Sequence, residues 1–265
     1  MYNLIWADLY KLRKSAAMKI LFAIMVFTSI GMAILSYFIP KGQIDSNMSG
    51  ICFLLADADM ISIIGSLAAG IFICGDFENR IIHDAIANGS SRAQIIFSKA
   101  LVFLFTSTLL LLPYAIVTIV TILTGDKFSV SSASVGFLHF IASDSGKSLA
   151  AGQLWKLIAV VITLLVVYAA QISICVPLVL GVKKPVIVLA IYYAFTIFCA
   201  QLGALSTSSK AFNLISSWIP YGGNYSLITL NTSPGYILQT LAVSLIFIFV
   251  MLSLTYFIFR KAEIK

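Results

Sequence analysis

The sequence predicts an all-α integral membrane protein with six transmembrane helices, and three observations lead to this fold class. First, 60% of the 265 residues are apolar or aromatic and only 10% are charged, whereas a soluble domain has roughly half and a quarter. Second, the apolar residues form runs near or above the ~20 residues that a helix needs to cross a bilayer. Third, lysine and arginine are concentrated in alternate loops between these runs, as in multi-pass proteins. We expect a single transmembrane domain over residues 1–265.

The apolar runs define the predicted spans. Each is expected to be helical, because every backbone amide inside a bilayer needs a hydrogen-bond partner within the chain. The second run is the least regular, since an apolar segment leads into it from Ile51. The predicted spans cover residues 18–39, 59–75, 100–124, 157–181, 185–205 and 236–259.

The residues before the first span predict an N-terminal interfacial helix. This region is too polar for a cleaved signal peptide, and the apolar run behind it has full spanning length. An apolar stripe edged by aromatic rings, with lysines behind it, suits a helix lying in the inner membrane interface. A plain charged tail is the alternative. The stripe would consist of Tyr2, Ile5, Trp6, Leu9 and Leu12, whereas Leu4 breaks the pattern.

The distribution of positive charge predicts that both termini are cytoplasmic. With that orientation, 12 of the 17 lysines and arginines lie on the inner face and 5 on the outer face, which follows the positive-inside rule. The net charge of +7 then reflects topology and attraction to anionic membrane lipid. Nucleic acid is therefore not an expected partner, and the expected location is the plasma membrane.

Residues 206–235, ahead of the sixth span, predict a short re-entrant helix or half-membrane hairpin in the outer leaflet. Apolar residues repeat there at helical spacing before the turn-forming Pro220. A surface loop with a few aromatic residues is the alternative. The repeating residues are Phe212, Ile215, Trp218 and Ile219, and Trp218, Tyr221 and Tyr225 are expected at headgroup level.

The segment GDFENRIIHDAIANGSSRAQIIFSK, residues 75–99, is a compact polar insert between two apolar runs. Residues 76–87 have an apolar arc and a polar arc on a helical wheel. Gly89 is expected to end this helix, and Ser90 or Ser91 to cap the helix that leads into the third span. So short a helix is marginal in water, so it needs a protein surface beneath it. The polar arc comprises Asp76, Asn79, Arg80, His83 and Asp84.

This segment resembles the corresponding stretch of the permease subunits of type-two ABC exporters. In that family, an acidic residue soon after the second span is followed by an amphipathic coupling helix, a glycine or proline turn, an arginine, and a lysine entering the third span. By position, the resemblance implies a cytoplasmic coupling helix at 77–87, a turn at Gly89, and basic residues at Arg92 and Lys99. Asn79-Arg80 stands where many members have Gly-Thr, and Gly-Ser stands where many have Pro, which leaves the subfamily open.

The resemblance also implies partners and an activity. A separate cytoplasmic ABC ATPase, in two copies, would bind ATP and Mg²⁺, and a second permease, identical or homologous, would complete the transporter. The cargo would be hydrophobic or amphipathic, and the nearest similarity in character is to bacterial permeases for antimicrobial peptides such as lantibiotics and bacitracin. The expected contact with the ATPase comprises Asp76, Phe77, Asn79, Arg80, His83, Asp84, Gly89 and Arg92.

The chain itself is not expected to be an enzyme or to hold a cofactor or metal. It contains no GxxxxGK[ST] loop, the usual cradle for nucleotide phosphates. His83 and His139 would lie on opposite sides of the membrane. The cysteines lack the spacing of a zinc site or a disulfide framework and are expected to pack as small apolar residues; they are Cys52, Cys74, Cys175 and Cys199.

Three uncharged polar residues deep in the predicted spans are candidates for a substrate pathway: Tyr168, Gln171 and Gln201. Hydrogen bonding between helices is the alternative role for such residues. Asp57 and Asp59 fall near the outer mouth of the second span. We expect them to mark the start of that helix, or else to shape an outer vestibule.

Two further functions fit the same composition. One is a secondary carrier or channel that needs no ATPase, although such proteins generally use ionisable groups deep in the membrane. The other is a non-transporting membrane immunity protein that binds a toxic peptide directly. Dependence on ATP, rather than on an ion gradient, distinguishes the exporter from both.

Overall fold

The computed structural model describes residues 2–45, 48–79, 81–130, 134–146, 151–205, 217–222 and 225–261. Within these ranges all regular secondary structure is helical. In the described part of the chain, six helices are long and apolar enough to cross a membrane, which confirms a multi-pass membrane protein. These candidate spans are Ala16–Phe38, Asp57–Phe77, Arg92–Thr124, Leu154–Val182, Pro185–Leu202 and Pro234–Arg260.

Two of these spans, the second and the fourth, are interrupted, and shorter helices lie between the spans. The helices are α1 (Tyr2–Lys14), α2 (Ala16–Phe38), α3 (Ser49–Leu54), α4 (Asp57–Met60), α5 (Ser66–Ala69), α6 (Gly75–Glu78), α7 (Ile81–Ala87), α8 (Arg92–Thr124), α9 (Gly136–Asp144), α10 (Leu154–Ile172), α11 (Cys175–Val182), α12 (Pro185–Leu205) and α13 (Pro234–Lys261).

Helix α8, the third span, is the central element of the bundle. It packs against α1, α2, α9, α10 and α13. Its 33 residues extend over about 50 Å at 1.5 Å per residue, which exceeds the ~30 Å of a bilayer core. The helix is therefore long enough to carry its first turns beyond the apolar layer, where they meet α1 and α7.

The second span is built from short α-helical pieces joined by two π-helical turns. These turns are Ile61–Gly65 and Gly70–Cys74, and each ends or begins at a glycine. A Cβ atom on Gly65 would lie 2.0 Å from Ile172 Cδ1, and one on Gly70 would lie 2.7 Å from Pro185 Cα. The glycines thus let the second span approach the fourth and fifth spans more closely than any larger residue would, as small residues do in membrane helix packing.

Large apolar side chains cover the outside of the bundle. Phe27 on α2, Phe198 on α12 and Phe249 on α13 are 76%, 61% and 72% exposed. In water so much exposed apolar area would be costly, but lipid tails are as apolar as these side chains. The outer surface is therefore suited to contact with lipid or with another membrane helix.

Helix α9 is a buried helix that lies outside the predicted spans, between the third and the fourth. Phe137, Leu138, Phe140 and Ile141 are fully buried. The backbone amides of Phe137 and Leu138 donate hydrogen bonds to the two carboxylate oxygens of Asp57, at 3.0 and 3.2 Å. Asp57 thus caps the N-terminus of α9, where a negative charge is favoured.

The same carboxylate also fixes the fourth span, because the hydroxyl of Tyr168 donates to Asp57. At the other end of α9, Asp144 accepts a hydrogen bond from the amide of Leu230 at 2.7 Å. Asp57 therefore does more than mark the start of the second span. It connects that span to α9 and α10 at the end of the bundle that also carries α3.

We predict that Gly136→Ala destabilises this end far more than Gly125→Ala. Both glycines have positive φ, at +62° and +72°, but only at Gly136 would a Cβ meet other atoms, at 1.8 Å from Tyr168 Oη and 2.1 Å from Asp57 Oδ2. The expected loss is about 3–4 kcal/mol for Gly136→Ala and about 1–2 kcal/mol for Gly125→Ala. Thermal unfolding in detergent measures the stability of both variants. Equal losses of stability would contradict the role assigned to the close approach of Gly136 to Tyr168 and Asp57.

Candidate functional site

One end of the bundle, which we call the basic end, is formed by α1, α7, the first turns of α8 and the last turns of α13. Two contacts join α8 to α1 and to α13. Lys99 of α8 hydrogen-bonds Asp8 of α1. Arg92 Nη1, also on α8, donates to the carbonyl oxygen of Arg260 on α13, at 3.4 Å.

Four charged side chains form an ionic cluster at the basic end: Asp8, Lys11, Asp76 and Lys99. Lys99 pairs with both Asp8 and Asp76, and Lys11 pairs with Asp76. The side chains of Asp76 and Lys99 are only 0% and 9% exposed, whereas that of Lys11 is 41% exposed. The cluster therefore joins α1, the end of the second span and the start of the third span through one buried ammonium group.

The charges of this cluster balance, with two carboxylates and two ammonium groups. Taking a charge out of water is expensive, and removal of one partner leaves an uncompensated buried charge. The ammonium of Lys99 also lies 5.0 Å from the ring centroid of Phe72, a distance at which a cation is attracted to an aromatic face. Burial raises the pKa of Asp8 above its ordinary value of 3.8, although the adjacent Lys99 opposes this change.

Helix α1 packs on the bundle through a face that differs from the predicted stripe. Leu4, Ile5, Leu9 and Leu12 contact the core, and Asp8 lies among them. The aromatic residues of the predicted stripe point away, since Tyr2 and Trp6 are 71% and 57% exposed. Leu4, which broke the predicted pattern, belongs to the packed face because Asp8 must reach Lys99.

The helix of the second span continues farther than predicted. Residues 76–87 do not form one helix, because α6 runs to Glu78 and a separate helix, α7, begins at Ile81. Asp76 is held in line with the second span by its ion pairs. Asn79 then ends α6, with its side-chain amide donating to the carbonyl oxygen of Gly75 at 2.7 Å.

Helix α7 lies against the ends of the spans through its apolar side. Ile82 is 2% exposed, and it lines a cavity of about 10 Å³ together with residues of four spans: Ile73, Ile95, Leu180 and Phe259. Ala85 and Ile86 also pack on the core. Asp84, on the other side, is exposed.

The turn between α7 and α8 is fixed by local hydrogen bonds, as the sequence predicts. Gly89 has φ +84°, and the amides of Gly89 and Ser90 donate to the carbonyls of Ile86 and Ala85, which is a Schellman C-cap. Ser91 and Gln94 then form a reciprocal capping box at the start of α8. The end of α7 and the start of α8 are therefore joined by a short turn with defined hydrogen bonds.

The residues predicted to contact an ATPase divide into exposed and buried groups. Asp76 was placed on the exposed polar arc, and this is wrong, because it is fully buried in the ionic cluster. Phe77 packs edge-to-face on Phe259 with ring centroids 6.3 Å apart. His83 is half-buried, Arg80 lies outside the described residues, and the exposed members are Asn79, Asp84, Gly89 and Arg92.

Two of the three predicted pathway residues, Tyr168 and Gln171, make structural contacts within the chain. Tyr168 is 1% exposed and bonds Asp57, so it faces no open passage here. Gln171 Nε2 donates to the carbonyl of Pro220 at 3.0 Å, and the hydroxyl of Tyr221 donates to the carbonyl of Gln171. Gln201 is exposed.

The predicted re-entrant helix is only partly within the described residues. Phe212 and Ile215 lie outside them, and residues 217–222 form turns. Trp218 is 69% exposed, whereas Tyr225 is 2% exposed. Of the aromatic residues expected at headgroup level, Tyr225 is therefore packed inside the protein instead.

Asp8 is the residue at this site that the sequence reasoning missed. The sequence does contain a signal for it. Asp8 lies four residues after Leu4 and four residues before Leu12, which places an acidic residue on the apolar side of an amphipathic helix. Such a position is unfavourable unless a buried partner is present. That partner, Lys99, lies 91 residues away along the chain.

Comparison of the chain with protein-family models and with curated proteins finds no match in either case. Among the described residues, no group of three His, Cys, Asp or Glu side chains is placed to hold a metal ion.

We predict that Lys99→Met destabilises the protein by about 3–5 kcal/mol, because it leaves Asp8 and Asp76 without their shared buried cation. Lys99→Arg, which keeps the charge, should lose less. Thermal unfolding measures stability, and trypsin cleavage at Lys11, Arg13 and Lys14 reports the release of α1. If Lys99→Met and Lys99→Arg were equally stable, the ionic cluster would not hold α1.

We also predict that acidification strengthens the docking of α1 through Asp8. The pKa of Asp8 is raised in the folded protein, so the docked state binds a proton more readily than the released state. The stabilisation of the docked state by protonated Asp8 is complete below the ordinary pKa of 3.8. It is lost as the pH rises through the raised pKa of Asp8 in the folded protein. Cross-linking of α1 to α8 across this pH range should show the effect in the wild type and not in Asp8→Asn. Release of α1 on acidification in the wild type alone would refute it.

Proposed function

We propose that this chain is the permease subunit of an ATP-driven ABC exporter, with α7 as its coupling helix. The observation that carries the proposal is the double attachment of the segment around α7. On one side the segment follows the second span directly, and the ionic cluster at Asp76 fixes the end of that span to α1 and α8. On the other side it is fixed to the third span by the Schellman turn and the capping box.

The exposed side of this segment supports a contact with a soluble partner. Helix α7 has only seven residues and buries its apolar side, so its polar side does not serve the packing of this chain. Asp84 is exposed on that side, and Asn79, at the end of α6, is exposed shortly before α7. Polar and charged side chains on a short, well-anchored helix suit a contact that forms, moves and forms again during a cycle of ATP hydrolysis.

The second and third spans would transmit the motion. Helix α8 is a continuous rod that contacts most of the bundle, so a shift at its first turn moves other spans with it. Packed elements of this kind shift between discrete arrangements rather than deforming continuously. The ionic cluster adds α1 to the moving unit, because Lys99 holds Asp8 and Asp76 at once.

A second permease, identical or homologous, would complete the transport path. The fifth and sixth spans are the least enclosed, with 11% and 17% of their residues buried in this chain. Apolar surfaces of this kind can line a cavity between two permeases that accepts a hydrophobic or amphipathic cargo, such as an antimicrobial peptide. Two copies of the ATPase would hold ATP and Mg²⁺ in the cytosol, with both termini of this chain on the same side of a bacterial plasma membrane.

We predict that Asp84→Lys weakens capture of the ATPase while leaving the permease folded. Asp84 is exposed, so its reversal costs little stability, but a charge mismatch at an interface slows association and weakens binding. The measurement is affinity purification of the tagged chain from its own membranes, with quantification of any co-purified ATPase that carries a phosphate-binding loop. We expect at least about a tenfold loss, or 1.4 kcal/mol.

The matched control is Asp126→Lys, which reverses the charge of another exposed aspartate beyond the far end of α8. It should capture the ATPase as the wild type does. Full capture by Asp84→Lys combined with Asn79→Lys would argue against α7 as the coupling helix. Transport that persists without ATP but stops with an uncoupler would favour a secondary carrier, and protection from a toxic peptide without ATPase activity would favour an immunity protein.

A further inference from the structure

A long groove lies on the outside of the bundle between the first half of α8 and the last third of α13. Its volume is about 550 Å³. Ile96 and Leu252 are buried or partly buried, whereas the large rings of Phe97, Phe249 and Phe257 stand exposed. The lining is completed by Ala93, Gln94, Ser253 and Tyr256, and it includes no acidic residue.

The groove has a charged mouth at one end only. Arg92 immediately precedes the lining residue Ala93, and Arg260 follows Phe257 by about one helical turn. Both arginines are exposed, and Arg92 Nη1 donates to the carbonyl of Arg260, which places the mouth at the basic end. The lining from Phe257 to Phe249 then extends about 12 Å toward the middle of the bilayer.

We propose that this groove binds one anionic phospholipid, with an acyl chain along the apolar lining and the phosphate between Arg92 and Arg260. A phospholipid has a single charged end and an apolar remainder, which matches the polarity of the groove along the membrane normal. A guanidinium presents five N–H donors in a fork that suits phosphate oxygens. An apolar transmembrane helix of a partner protein, the alternative occupant, would not use the two arginines at one end of the groove.

The binding of this lipid would connect α8 to α13 at the basic end. Arg92 stands at the first residue of α8, directly behind the turn that ends α7. A phosphate at this position adds a second link between the two helices beside the existing hydrogen bond. The site requires neither an ATPase nor a transported cargo, so its failure and the failure of the exporter proposal are distinguishable.

The test is native mass spectrometry of the purified chain titrated with dioleoyl phosphatidylglycerol or dioleoyl phosphatidylcholine. The wild type should bind the anionic lipid more tightly than the zwitterionic lipid. Each arginine is expected to contribute about fivefold, so Arg92→Gln combined with Arg260→Gln should reduce phosphatidylglycerol affinity about 25-fold. Binding of phosphatidylcholine should stay nearly constant in this variant.

Three further variants make the test specific. Lys184→Gln removes a cation that is exposed at the turn between the fourth and fifth spans, and it should bind both lipids as the wild type does. Leu252→Trp fills the groove and should weaken the binding of both lipids. The double variant Arg92→Lys with Arg260→Lys keeps both charges and should retain a preference for phosphatidylglycerol. It shows whether weaker binding by the glutamine variant results from the lost charge rather than from a loss of folding.

Three outcomes would overturn the proposal. The first is an equal loss of phosphatidylglycerol affinity in Lys184→Gln and in the double glutamine variant, which would show a general effect of net charge. The second is unchanged lipid binding by folded Leu252→Trp, which would show that the lipid lies elsewhere. Displacement of the lipid by glycerol phosphate alone would also exclude it, because the apolar lining would then contribute nothing.

Discussion

The buried ammonium group of Lys99 is the constraint on which the basic end depends. A lysine in an apolar bundle is unstable unless carboxylates surround it, and here they come from two different helices, at Asp8 and Asp76. The position of α1 and the direction of α6 are therefore fixed by a single side chain of α8. Replacing such a cluster with apolar residues can be neutral for stability, so its value would lie in fixing geometry.

The membrane spans could be predicted from the sequence because they depend on composition over long windows. The turn at Gly89 and the cap at Ser91 could also be predicted, since both depend on residues within a few positions of each other. The ionic cluster could not, because Asp8 and Asp76 reach partners 91 and 65 residues away. Hydropathy does not indicate which charged residues, far apart in the sequence, form ion pairs in the fold.

Contacts between residues distant in sequence also explain the other differences between the predicted and the observed structure. Helix α9 has an apolar sequence of only nine residues, too short for a span, and its burial depends on Asp57, 80 residues earlier in the chain. The continuation of α6 through Phe77 depends on Asp76 being paired, whereas a helical wheel shows only that Asp76 is polar. In each case a buried carboxylate decides the local structure through a contact that is distant in sequence.

The π-helical turns of the second span change which of its residues share a side. A π turn closes its hydrogen bonds between i and i+5 rather than i and i+4, so each contains about one residue more than an α-helical turn. In a regular α-helix, Asp76 would project about +100° around the helix axis from Asp57. With the two π turns, it projects at about −100° instead. With this rotation the span presents Asp57 to α9 at one end and Asp76 to Lys99 at the other. A homologue with a regular α-helix here would need a two-residue deletion between its two aspartates, and a gapless alignment would assign the wrong residues to the protein interior.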